Sequence, residues 1–304
     1  MRALVPLAAA AAVVAAAATG GRSATSSNCG RTSTGFVPLT DLKQGTYKGY
    51  RGGLYADGRN QPLAKLQKKA LTYAKRVTPV DGKIVLLSIG MSNTTQEFRV
   101  FMRDAAADPR KSSKVVLVDG AQGGQDAITI SDPNARFWTV VAERLAAAGV
   151  AARQVEVVWL KQAIARPTEA FPADAKRLQA ALRSIDRILR QRFPNLRLVY
   201  VSSRTYGGYA STPLNPEPYA YESGFAVKWF VQDRLAGRLK GPWVLWGPYL
   251  WTDGTRGRGD GLVWTCADVQ ADGTHPSAGG AEKVSQLLLR FFETDATARR
   301  WFLG

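Results

Sequence analysis

The chain has 304 residues, 45% of them hydrophobic and 10% aromatic, which is ample material for a packed core and excludes general disorder. Its 41 Lys and Arg against 24 Asp and Glu give a formal charge of +17, so the surface favours anionic partners: polysaccharides, cell-wall polymers, phospholipid headgroups or nucleic acid. Two cysteines and a single histidine are too few for an ordinary zinc site, and the sequence implies neither metal nor cofactor.

Taken in chain order, Arg2 precedes the apolar run "LVPLAAAAAVVAAAA" (4–18), followed by small and polar residues. A charge, a run too short to span a bilayer comfortably, and a small-residue cleavage region read as a secretory signal peptide over residues 1–24. An uncleaved anchor is the alternative. No later segment resembles a membrane span, so a secreted or extracytoplasmic location is expected. In that compartment Cys29 and Cys266 are expected to pair, with two free thiols as the alternative. The chain-entropy argument allows such a long loop up to about 5 kcal/mol.

Residues 25–304 read as one domain. A Gly-rich opening, "GTYKGYRGGLYADGRN", is followed by a regular alternation. "KIVLLSIG" reads as a buried strand, and residues 94–104 as a helix. "KVVLVDG" reads as a second strand, followed by a helix over 134–148. "VEVVWL" and "LRLVYVSS" are further strands, separated by the amphipathic "DAKRLQAALRSIDRILRQRF". "GPWVLWG" is a fifth strand, and 278–292 a closing helix. Apolar runs alternating with helical patterns imply an α/β fold with a mostly parallel sheet of about five strands, covered on both faces. In the long amphipathic helix, Leu178, Leu182, Ile185 and Leu189 form the apolar stripe, while Arg183, Arg187 and Arg190 lie largely opposite. The simplest account of that charge is a solvated face, and no specific nucleic-acid motif accompanies it.

In such sheets the working residues gather beyond the carboxyl ends of the strands. Three segments lie there. In "SIGMSNTTQEF", Ser92 follows a strand and precedes a helix, a position that suits an exposed nucleophile or a capping serine equally. In "VDGAQGGQDA", paired glycines permit either a tight turn or a backbone N–H aimed at a developing oxyanion. In "ADGTHPSAGG", Asp272 stands three residues before His275, close enough to fold back onto the ring and fix its tautomer. Ser277 is placed to cap the last helix.

These three segments, in the order Ser, Asp, His, resemble the SGNH hydrolase superfamily of GDSL-type esterases and lipases over residues 83–292. The resemblance implies a flavodoxin-like three-layer α/β/α sandwich, with Ser92 as nucleophile and Asp272 and His275 completing a triad. It also implies an oxyanion hole formed by the N–H groups of Ser92 and Gly124. Ser followed by Asn93 is similar to carbohydrate acetylesterase branches. One departure concerns the family's third block, which supplies an oxyanion-hole Asn: "VYVSSRTYGGYAS" has none, so either Ser203 or Arg204 stands in or the hole relies on two backbone N–H groups. Asn93, Arg204, Tyr206 and Trp251 are the expected substrate contacts; Tyr206, Tyr209, Trp246, Tyr249 and Trp251 follow strand ends, where rings suit stacking on sugar faces, with core and rim packing as the alternative.

The expected function is therefore a secreted serine esterase acting on short-chain esters, acetyl among them, carried on a carbohydrate. Anionic polymers are expected partners of the basic surface. The alternatives are a silent module of the same fold that binds anionic glycans, and a lipid-directed esterase or acyltransferase.

Overall fold

The computed structural model describes Met1 and residues 26–304, so the expected signal peptide lies outside the described residues. The described chain opens with a short helix, α1 (Leu39–Leu42), and an antiparallel hairpin of β1 (Thr46–Tyr47) and β2 (Tyr50–Arg51), followed by α2 (Ala64–Ala74). The alternating region then runs β3 (Ile84–Gly90), α3 (Ser92–Ala107), β4 (Val115–Asp119), α4 (Ala127–Ile130), α5 (Arg136–Ala147) and β5 (Val155–Lys161). It continues through α6 (Ala173–Arg192), β6 (Leu198–Ser202), α7 (Tyr219–Leu235), β7 (Trp243–Trp246), α8 (Ala278–Thr294) and α9 (Arg299–Phe302).

Strands β3 to β7 form one parallel sheet in the order β4-β3-β5-β6-β7. Counted along the chain this is the 2-1-3-4-5 arrangement of flavodoxin-like folds. Every residue of β3 and β5 is buried, as a strand covered on both faces requires. Each buried Ile, Val or Leu there contributes about 1.5–3 kcal/mol of transfer free energy. Right-handed crossovers place α3 on one face and α5, α6 and α7 on the other. Helix α8 returns to pack on α3, where Phe101, Phe292 and Phe302 share an aromatic cluster. The result is the three-layer sandwich.

Of the helices longer than four residues, two were not legible in the sequence. Helix α7 is buried on nearly every side, from Ala220 to Arg234, so it shows no apolar stripe against a polar face. Helix α2 hides only Ala70 and Ala74 fully, too little to give a strong period.

The Gly-rich opening is stitched to the sandwich. Lys228 of α7 donates to the carbonyls of Arg51 and Gly52 (2.7 and 2.5 Å), and Tyr47 donates its hydroxyl to Glu222 (2.7 Å). The buried Asp253 carboxylate accepts from the Thr34 N–H (2.6 Å), the Gly35 N–H (3.0 Å) and the Ser33 hydroxyl (2.6 Å). Cys29 and Cys266 are joined in a disulfide, with Cα atoms 5.3 Å apart. Among the described residues, no helix is long and apolar enough to cross a membrane.

Candidate active site

Ser92 owes its position to a close approach behind it. A Cβ on Gly90 would collide with the Thr94 side chain and the Lys161 carbonyl, so only glycine lets β3 end against β5 and turn at once into α3. Met91 is extended (φ −105°, ψ −164°), and Ser92 is the first helical residue. Its N–H therefore has no intrahelical acceptor and lies at the positive end of a four-turn helix.

The histidine turn is built with equal economy. Gly273 has φ +64°, and a Cβ there would run into the Tyr209 carbonyl. That left-handed residue lets the chain fold back within "DGTH". Asp272 Oδ1 accepts the backbone N–H groups of Thr274 and His275, both at 2.9 Å. Its Oδ2 lies 2.5 Å from His275 Nδ1, and His275 Nε2 lies 2.7 Å from Ser92 Oγ. With Nδ1–H committed to the carboxylate, Nε2 is the acceptor and the Ser92 hydroxyl donates to it. Burial pushes the Asp272 carboxyl up, but the His275 and Thr274 N–H groups and the ring outweigh it and hold it below its ordinary range. The carboxyl is therefore an anion whenever the imidazole works as a base. The side chains of His275 and Asp272 keep 21% and 29% exposure, so the pair sits at the surface with its polar edge accessible.

Asn93 joins the two turns. Its Nδ2 donates to the Thr274 carbonyl at 2.8 Å, linking the residue after Ser92 to the residue before His275. Arg204 reaches the same carbonyl from below at 3.5 Å, the outer edge of a hydrogen bond, and is held by Asn215 through Nε at 3.1 Å.

The glycine turn after β4 lies beside Ser92. A Cβ on Gly123 would stand 3.9 Å from the Ser92 Cβ, whereas Gly124 has φ +72° and open space around it. Gly123 thus faces the serine, and Gly124 supplies the left-handed turn. The turn is anchored by Gln122 N–H donating to the Gly90 carbonyl (3.0 Å) and by Gln162 Nε2 donating to the Gln125 carbonyl (2.9 Å). Asp126 caps α4 through the Thr129 N–H at 2.9 Å.

The expected substrate contacts need correction. Asn93, Arg204 and Tyr206 are 2%, 1% and 2% exposed, and Trp251 is fully buried. Asn93 donates to the Thr274 carbonyl, and Arg204 gives Nε to Asn215 and Nη2 to Thr274 while its buried Nη1 has no partner. Tyr206 donates to the Arg31 carbonyl (2.8 Å), and Trp251 Nε1 donates to Glu217 (2.7 Å). All four lie in the packing beneath the site. The other rings that follow strand ends, Tyr209, Trp246 and Tyr249, are buried too, which removes the stacking argument for a sugar. Ser203 is likewise buried, with its hydroxyl unpartnered.

The stand-ins expected from the sequence, Ser203 and Arg204, follow β6 and not the strand beside β3. In the sheet β3 lies between β4 and β5, so the loop next to Ser92 on that side follows β5, not β6. Its first residue is Gln162, a buried carboxamide that braces the glycine turn. Its position directly after "VEVVWLK" was the available signal. Among the described residues, no group of three or more His, Cys, Asp or Glu could hold a metal ion.

A scan of protein-family models finds none that matches, and no curated protein matches the chain. Among solved structures the chain is similar to LAE5, an alpha/beta hydrolase from the metagenome of Lake Arreo, Spain. The identity is 13% and the TM-score 0.41, over 71% of this chain and 95% of that one. It is similar to the periplasmic domain of a lipopolysaccharide acetyltransferase from Salmonella ser. Paratyphi A at 14% identity and a TM-score of 0.40, over 73% and 87% of the two chains. A Bacillus subtilis protein, YXIM, is matched at 10% identity and a TM-score of 0.40 over 69% of this chain, which spans only 56% of that one. Likenesses this distant carry no argument, and the chemistry below rests on the chain's own geometry.

Proposed function

We propose that the protein is an extracytoplasmic serine esterase of the SGNH type that hydrolyses short acyl esters, acetyl among them. The observation that carries this reading is the unbroken relay from Ser92 Oγ to His275 Nε2 (2.7 Å) and from His275 Nδ1 to Asp272 Oδ2 (2.5 Å). Ser92 attacks the ester carbonyl carbon as His275 takes the hydroxyl proton, and Asp272 stabilises the imidazolium that forms. The Ser92 N–H, with an N–H of the Gly123–Gly124 turn, receives the negative charge on the carbonyl oxygen. The imidazolium gives its proton to the departing alcohol. Water, deprotonated by the same histidine, then splits the acyl-enzyme and frees the acid. The Cys29–Cys266 disulfide supports an oxidising compartment.

Turnover of a chromogenic acetate ester by the mature protein, with Ser92→Ala as control, tests the reading. Equal rates for both proteins would refute it.

A further inference from the structure

At the end of the sheet opposite Ser92, the last turns of α6 and the loop between α7 and β7 form an open groove of about 800 Å³. Its walls carry Arg183, Arg187, Arg190, Arg238 and Lys240, with Asp186 at the base. Five cations at one groove repel one another, and the fold arranges them in two ways. Arg183 and Arg238 both clamp the buried Asp233 carboxylate, at 2.5 and 2.7 Å, which fixes two sides of the groove. Arg187, Arg190 and Lys240 are exposed and make no ion pair among the described residues. The stem of Arg190 passes over Gly241, where an added Cβ would stand 2.6 Å from its Cδ.

We propose that this groove binds a linear polysaccharide bearing carboxylate groups, which it holds through Arg187, Arg190 and Lys240. Guanidinium forks match the paired oxygens of a carboxylate in bidentate geometry, as they do those of a phosphate, so the separation from nucleic acid comes from the groove's other lining. The groove is lined by no aromatic ring, so it lacks the stacking platform that single-stranded nucleic acid uses. Leu239 is its one apolar lining residue, which gives a membrane nothing to insert. The inference goes beyond the esterase reading and stands without it, because the groove lies a full strand length from Ser92. If both hold, the groove retains the enzyme on an acylated polymer while Ser92 works elsewhere along it.

The test is binding of the mature protein to alginate at moderate salt, beside neutral dextran and single-stranded DNA. The groove triple variant Arg187→Gln, Arg190→Gln, Lys240→Gln is compared with a control triple, Arg290→Gln, Arg299→Gln, Arg300→Gln, taken from exposed positions of α8 and α9 on the other face. The wild type is expected to bind alginate but not dextran, with an affinity that falls as salt rises. The groove triple should lose at least about tenfold, and the control triple less than about twofold, since local field rather than total charge sets the affinity. Equal losses in the two triples would mean that net charge alone attracts the polymer and would overturn the proposal. Absence of alginate binding by the wild type, or tighter binding to DNA, would overturn it as well. Acetate-ester turnover should be unchanged in both triples, which separates this result from the fate of the esterase reading.

Discussion

At the carboxyl end of the sheet, the charges around Ser92 are paired. Lys161 and Glu97 are buried and meet at 2.5 Å, and Asp272 is answered by two N–H groups and an imidazole. At the amino end, Arg187, Arg190 and Lys240 stand in solvent with no carboxylate partner among the described residues. The difference teaches what each end can do. Paired charge holds side chains in one geometry and suits a proton relay. Exposed, unpaired charge fixes little and remains available to a partner.

The relay gives the largest expected effects. Ser92→Ala and His275→Ala should each lower kcat for an acetate ester by at least about 10⁴-fold, and the double variant should be little worse, because the members act as a unit. Asp272→Asn removes the charge that orients the ring and should also cost roughly 10⁴-fold. Substantial turnover by His275→Ala would mean that another base serves Ser92, and the relay would lose its role.

The Lys161–Glu97 pair sharpens the comparison from the stability side. Burial pushes the Lys161 ammonium down to about 8, while the Glu97 carboxylate beside it resists that fall. Lys161→Met leaves an uncompensated buried carboxylate and should destabilise by about 3–5 kcal/mol in urea unfolding. Pairing it with Glu97→Leu removes both charges and should recover most of that loss. A double variant as unstable as Lys161→Met would show that packing, not charge, dominates there. Beside this, replacing Cys29 and Cys266 by serine should cost about 2–4 kcal/mol, because the disulfide closes a loop with a sequence separation of 237. Intact-mass analysis before and after reduction checks the pairing itself.

Much of this was legible in the sequence, and the limits have physical causes. The continuous apolar runs of β3 and β5 announce a doubly covered sheet, and "DGTH" carries its own turn geometry through Gly273 and Asp272. Helix α7 was missed because a helix buried all round has no polar face to betray its period. Side-chain direction was the other gap. Tyr206 and Trp251 do follow strand ends, but their polar tips point inward to the Arg31 carbonyl and Glu217, a choice made by partners far along the chain. Gln162 was overlooked because the order of strands in the sheet differs from their order in the sequence.

A pH-dependent effect is expected at Asp186, at the base of the groove. Its side chain is buried, and Oδ1 has no hydrogen-bond partner. Burial raises its carboxyl to about 7, against the pull of Arg190, Arg234 and Arg187. A carboxyl raised on folding stabilises the fold through its protonated form, fully below its unfolded value, and that contribution is lost as pH rises towards 7. Asp186→Asn keeps the shape and removes the titration. The variant should match the wild type near pH 4 and then gain on it as pH rises. The gap should level off above pH 7, where Asp186 is ionised in the folded and unfolded states alike. Urea unfolding across pH 4 to 8 reads this directly. A variant less stable than the wild type at pH 8 would mean that the three arginines hold Asp186 as a working carboxylate, as Arg183 and Arg238 hold Asp233.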